Sequence, residues 1–146
     1  MLLQTVFALA LSILCALLHA LGLLGLLYWQ TKLWPGLEKD FGPRRNLPVF
    51  LVLFVAIWCL HVVEISFWAG LYYWKAGLPT LESSFYFSTA SYTTIGVSDI
   101  ILPHSWRLTS VLESLTGVLL LGWSAAFFFT VVHRFFEARV HHWQQE

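Results

Sequence analysis

The sequence predicts an all-α membrane protein with three transmembrane helices per chain and a short re-entrant helix between the second and third. Three observations carry this prediction. Of the 146 residues, 58% are hydrophobic and 11% charged, whereas a soluble domain carries about 25% charged residues. Three segments are long and nearly free of charge: Leu2–Trp29 has no Asp, Glu, Lys or Arg, Val49–Trp74 has only Glu64, and Leu108–Val132 has only Glu113. Each exceeds the roughly 20 residues that cross a bilayer's hydrocarbon core. Between the last two lies "SYTTIGVSDI", Ser91–Ile100, small and polar after an aromatic run.

The first segment, taken as a helix over 1–30, lacks a basic N-terminal flank and is too long for a signal peptide, so it reads as a spanning helix. Tyr28 and Trp29 at its end, Tyr72–Trp74 at the end of the second segment and Trp106 before the third suit an interfacial aromatic belt. Residues 31–48 read as a linker. Its Pro35-Gly36 and Gly42-Pro43 pairs break helix, and it carries Lys32, Lys39, Arg44 and Arg45. Spanning helices are expected over 49–74 and 107–133, followed by a tail over 134–146.

Charge sets the expected orientation. The first linker and the tail together hold Lys32, Lys39, Arg44, Arg45, Arg134 and Arg139, while the connection between the second and third helices holds only Lys75 and Arg107. The basic side faces the cytoplasm. A multi-pass protein of the plasma (inner) membrane is expected, with its N-terminus outside and its C-terminus cytoplasmic. The net charge of zero gives no reason to expect a nucleic-acid partner. Cys15 and Cys59 are isolated in apolar segments and form no Cys-x-x-Cys pair, so both read as small helix-packing residues.

The outer connection explains the polar stretch. Pro79 and Thr80 form a helix start, with Glu82 in the first turn. A helix over 80–91 is too short to span, so it enters the membrane part-way and the chain must return. Irregular backbone at membrane depth persists only when buried in protein or lining a watery path. The carboxyl end of that half-helix would favour a cation.

These residues resemble a known family. "TTIGVSD", residues 93–99, is similar to the Thr-Thr-Val-Gly-Tyr-Gly-Asp selectivity filter of potassium channels. "FYFSTASYTT" resembles the family's pore helix, "LPHSWRL" resembles the stretch after the filter, and Gly117 falls where the inner helix often carries a hinge glycine. The resemblance covers roughly Val49 to Val132 and leaves the first helix outside. It implies a homotetramer around a potassium-channel-like pore, with a pore module over 49–133.

In that module Thr94, Ile95, Gly96, Val97 and Ser98 supply cation-binding oxygens, with a monovalent cation, potassium or sodium, held at Thr94, Ile95 and Gly96. Carbonyl rings replace the ion's hydration shell. Tyr86, Thr93, Asp99 and Glu113 are the implied supports of the filter. Gly117 is the implied hinge, and Val118, Leu121, Ala125, Phe129 and His133 line the inner helix, with Phe129 as a hydrophobic gate. Two positions depart from the pattern. Val97 replaces the filter aromatic and Ser98 replaces the second glycine, which removes struts from the outer filter and predicts weaker discrimination against sodium. No catalytic residue and no cofactor beyond the conducted cations are expected.

Ionisable residues inside a membrane are expensive and suggest function. His61 and Glu64 share a helix face. They either satisfy each other or a neighbouring hydroxyl, act as a gating pair, or join a metal site for which the sequence shows no third ligand. Glu113 is expected behind the filter, against pore-helix hydroxyls such as Ser88 or Thr89, or as a charge that attracts cations. Two other functions fit parts of the pattern: a haem-binding electron-transfer subunit using His19 and His61, and a non-conducting subunit that modulates partners.

Overall fold

The computed structural model describes residues 2–33, 43–96 and 99–143; for residues 33, 43–45, 138, 139 and 141–143 it describes only the backbone. Among the described residues four α-helices carry the fold: α1 (Leu2–Leu33), α2 (Pro43–Leu71), α3 (Leu81–Tyr92) and α4 (Arg107–Trp143). No strand occurs among the described residues. α1, α2 with its extension, and α4 are long and apolar enough to cross a membrane, over Leu2–Lys32, Asn46–Ala76 and His104–Glu137. The chain is therefore an all-α, multi-pass membrane protein. α3 is a 12-residue helix, roughly 18 Å long at 1.5 Å per residue, and cannot span.

Several boundaries differ from those read off the sequence. α2 begins at Pro43 and passes through Pro48, so its first residues belong to the stretch expected as linker. A proline at the first helical position suits the fixed φ of its ring, and Pro48 removes one intrahelical hydrogen bond close to the helix start. At its other end α2 widens into a π-helical turn, Tyr72–Ala76, which Gly77 closes in the left-handed conformation, φ 77°. α4 runs to Trp143 rather than stopping at residue 133, since no Gly or Pro follows to break it.

The start of α3 is built as its sequence suggests. Thr80 is the N-cap: its hydroxyl accepts from the Ser83 amide at 3.0 Å and the Ser83 hydroxyl accepts from the Thr80 amide at 3.2 Å. Such a cap stabilises a helix by about 0.5–2 kcal/mol. Pro103 then leads through a 3₁₀ turn, His104–Trp106, into α4.

Two apolar clusters fix how the helices run. Ala8 and Cys15 of α1 meet Ile65 and Trp68 of α2, Tyr72, Phe87 and Tyr92 around α3, and Leu120 of α4. At the other end Val49 and Leu53 of α2 meet Val131 and Phe135 of α4, with Leu26 and Trp29 of α1 against them. The start of α1 therefore lies with the end of α2, and the end of α1 with the start of α2. α1 is antiparallel to α2 and parallel to α4, which places the amino end of the chain on the same side as α3 and its loop. α1 is part of the core rather than an appendage: Ser12 Oγ lies 2.8 Å from Thr116 Oγ1 of α4, and Ala8, Cys15 and His19 are fully buried.

Candidate functional site: the α3 loop and the buried polar cluster behind it

The polar stretch follows directly from the end of α3. Thr93 closes the helix and its hydroxyl donates to the Thr89 carbonyl at 2.7 Å. Thr94 adopts φ 59° and Gly96 φ 66°, so alternate residues are left-handed with Ile95 between them. For Gly96 this conformation is cheap. For Thr94, a β-branched residue, it is an outlier of the sort that clusters at functional sites. Hydrogen bonds hold the turn: the amides of Thr94 and Gly96 donate to the carbonyls of Ser91 and Ala90, each at 3.0 Å. The Thr94 hydroxyl donates to the Thr93 carbonyl at 2.7 Å, which leaves its oxygen lone pairs open. Thr94, Ile95 and Gly96 are exposed in the single chain. Val97 and Ser98 lie outside the described residues.

α4 buttresses this loop from behind. Ser114 Oγ lies 2.7 Å from the Ser91 carbonyl, the same carbonyl that accepts the Thr94 amide. Gly117 packs so closely under Tyr92 that a Cβ there would overlap the Tyr92 carbonyl oxygen and lie 3.0 Å from Tyr92 Cγ. Its missing side chain is thus a condition of the helix contact.

Glu113 is fully buried. Ser88 donates to its Oε1 at 2.5 Å and Tyr72 to its Oε2 at 2.6 Å. The carboxyl group therefore ties α4 to α3 and to the π turn. Thr89, the other hydroxyl considered for it, donates instead to the Phe85 carbonyl within α3.

Tyr86 lines an apolar groove of about 1100 Å³ beside α2, together with Phe67, Trp74 and Phe85. Asp99 is exposed, and among the described residues no hydrogen bond or ion pair joins it to α3.

His61 and Glu64 are neighbours, but not an isolated pair. Glu64 accepts from Tyr92 Oη at 2.5 Å and lies 3.1 Å from His61 Nδ1 and 2.9 Å from His19 Nδ1. Tyr92 Oη is also 2.9 Å from His61 Nδ1. On the far side of both rings, His61 Nε2 and His19 Nε2 lie 3.0 and 3.1 Å from the single hydroxyl of Ser124. One side chain from each of α1, α3 and α4, and two from α2, thus close a cluster buried behind the loop. Sequence spacing reveals the His61–Glu64 contact but not His19, Tyr92 or Ser124. The signal available is a second histidine, His19, in a segment, Leu2–Trp29, that otherwise carries no charge; such a group needs a polar partner.

This geometry does not favour the haem reading. The His19 and His61 ring centroids are 5.1 Å apart and both Nε2 atoms converge on one serine oxygen, so no macrocycle fits between them as axial ligation requires.

On α4 the face opposite the cluster is bare. Val118, Leu121, Ala125, Phe129 and His133 are all exposed in the single chain, Phe129 by 68%, while Glu113, Thr116, Leu120, Ser124, Val131 and Phe135 are buried against the other helices.

Comparison with known proteins agrees with the geometry at a coarser level. No curated protein and no solved structure matches the chain. A protein-family model described as "Ion channel" matches residues 49–134, from the start of the apolar part of α2 through the α3 loop and most of α4. With the family model spanning more than half of its residues, the chain belongs to the ion channel family.

Proposed function

We propose that the chain forms a homotetrameric cation channel that conducts potassium passively through a filter built from Thr94, Ile95, Gly96, Val97 and Ser98. The observation that carries the proposal is the alternation of left-handed torsions at Thr94 and Gly96 directly after a half-length helix. Such an alternation turns successive carbonyls towards one side, and rings of carbonyls from four chains replace a potassium ion's water. One loop per chain requires four chains to close the ring. The bare face of α4 supports the same reading, because Val118, Leu121, Ala125, Phe129 and His133 would line the inner cavity of such an assembly, with Phe129 as its hydrophobic constriction. Gly117 serves there as a contact point of α4 on α3, and a hinge at that position would have to break this contact. Transport without catalysis is the activity this supports. The basic linker and tail orient the loop and the N-terminus outwards in the plasma (inner) membrane.

The two departures in the outer filter make sodium exclusion weaker than in relatives with the full motif. The test is reconstitution of the purified chain alone in planar bilayers, with reversal potentials under bi-ionic potassium and sodium. Wild type should pass both ions with a preference for potassium, and Val97→Tyr with Ser98→Gly should sharpen that preference. Absence of flux from the correctly assembled protein would favour the non-conducting subunit. A wild type that rejects sodium as strongly as the double variant would refute the account of the departures.

A further inference from the structure

Behind the loop, the ligand atoms of His19, His61 and Glu64 lie within 4.8 Å of one another. We propose that these three side chains form a binding site for a divalent transition-metal ion of the zinc class, separate from the filter's monovalent cations. Two imidazoles and one carboxylate are a zinc-ligand set, and three protein ligands leave a fourth position open. Tyr92 Oη is a further oxygen beside the site, 2.9 Å from His61 Nδ1.

The hydrogen bonds of the cluster argue for the ion. With Glu64 ionised and both rings neutral, the cluster has four protons to share: one each on His19, His61, Tyr92 and Ser124. Five contacts require one: His19 to Glu64, His61 to Glu64 or Tyr92, Tyr92 to Glu64, and each ring to Ser124. If both rings carry their proton on Nδ1, two bare Nε2 atoms face one serine hydroxyl with one proton between them. If His19 turns its proton to Nε2, its Nδ1 lone pair faces the carboxylate; if His61 does, its Nδ1 can accept from Tyr92 Oη at 2.9 Å only by taking that proton from Glu64.

A metal ion bound by both Nδ1 atoms and the carboxylate removes the conflict. Each ring then carries its proton on Nε2, and both donate to the two lone pairs of Ser124 Oγ, while Tyr92 still donates to Glu64. Metal-bound histidines characteristically donate their other ring N–H to such an acceptor. His19 Nδ1 and His61 Nδ1 face different oxygens of Glu64, at 2.9 and 3.1 Å. Tetrahedral zinc at about 2.0–2.1 Å from each ligand holds its ligand atoms roughly 3.3 Å apart, so the three ligand atoms, now within 4.8 Å of one another, must draw in around it. The competing occupant is a single extra proton, which would pair the fifth contact without any metal.

The test separates these occupants. His104, His133, His141 and His142 are replaced by Gln, leaving only the two cluster imidazoles. The full chain is then titrated in lipid nanodiscs with Zn²⁺, and with Co²⁺ as a spectroscopic probe. One ion per chain should bind, with the intense visible absorption of tetrahedral Co²⁺. His19→Gln should abolish saturable binding. Ser124→Ala, which keeps all three ligands, should weaken it 10–100-fold. Absence of stoichiometric binding overturns the proposal and leaves the proton as occupant, as does binding that His19→Gln leaves intact. If His19→Gln does not fold, unchanged affinity in Ser124→Ala overturns it equally. Because the readout is metal content, a failure of conduction leaves this result standing.

Discussion

Gly117→Ala is the substitution whose consequence follows most directly from the packing of α4 on α3. The added methyl would overlap the Tyr92 carbonyl oxygen, stand 2.9 Å from the Tyr92 carbonyl carbon and 3.0 Å from its Cγ. The first two atoms are backbone, so no rotamer change relieves them. Reaching an ordinary contact of 3.4 Å or more moves α4 or the end of α3 by more than about 1 Å. Overpacking of this type costs about 1–3 kcal/mol where side chains can adjust, so the upper end of that range is expected. Gly25→Ala is the matched control. Gly25 lies in α1, and the space its new methyl would fill has no atom within 4 Å, so helix propensity alone predicts a gain of about 0.5–1 kcal/mol. The assay is unfolding of both variants in mixed micelles, followed by flux from reconstituted protein. Gly117→Ala should lose stability and flux together, because Tyr92 immediately precedes Thr93 and Thr94. Wild-type stability and flux from Gly117→Ala would refute the close packing of α4 on the loop.

Two further substitutions probe the loop and its buttress. In Gly96→Ala no atom obstructs the new methyl, so the cost is the left-handed torsion itself, about 1–2 kcal/mol, and flux should fall sharply while the assembly stays intact; wild-type flux would show that this torsion is not used in conduction. Tyr72→Phe removes the 2.6 Å hydrogen bond to Glu113 and should lower stability in micelles by about 1–2 kcal/mol, weighing the cost of an unsatisfied buried acceptor against the small values measured for hydrogen bonds within membranes; an unchanged unfolding curve would mean that Ser88 alone suffices.

What the sequence reveals follows from how strongly each element is constrained. The three spans are legible because a bilayer demands about 20 apolar residues in a row, and the start of α3 because Pro79, Thr80 and Glu82 form a local helix-start pattern. The start of α2 is hidden because proline breaks helices in their interior but is tolerated in their first turns. The extent of α4 is hidden because the end of an apolar run is not a helix stop; His133 and Glu137 even pair across one turn at 3.6 Å. In the site, the sequence places Glu113 against a pore-helix hydroxyl, Ser88 or Thr89, but its second partner, Tyr72, begins a π turn whose register no helical spacing predicts. His61 and Glu64 are three residues apart and visible as a pair. Their convergence with His19, 45 residues from Glu64, and with Ser124 depends on how the other helices pack.

That convergence bears on what α1 does. The family match begins at residue 49, so the first helix lies outside the matched module, yet the module's own polar interior is completed from it. Glu64 is fully buried and one of its oxygens, Oε1, faces His19 Nδ1; without α1 that oxygen would face lipid or an empty groove. Thr116, next to Gly117, meets Ser12 of α1 in the same way. Polar contacts between membrane helices are individually modest, but an unpartnered carboxylate in hydrocarbon is costly. α1 therefore closes a surface that a two-helix module with Glu64 could not expose. Tyr92 is the common element: its hydroxyl joins the Glu64 cluster, its carbonyl sits against Gly117, and the next residue begins the polar loop. A shift of α1 against α2 or α4 would thus reach the loop through Tyr92 and through the α4 contacts at Ser114 and Gly117.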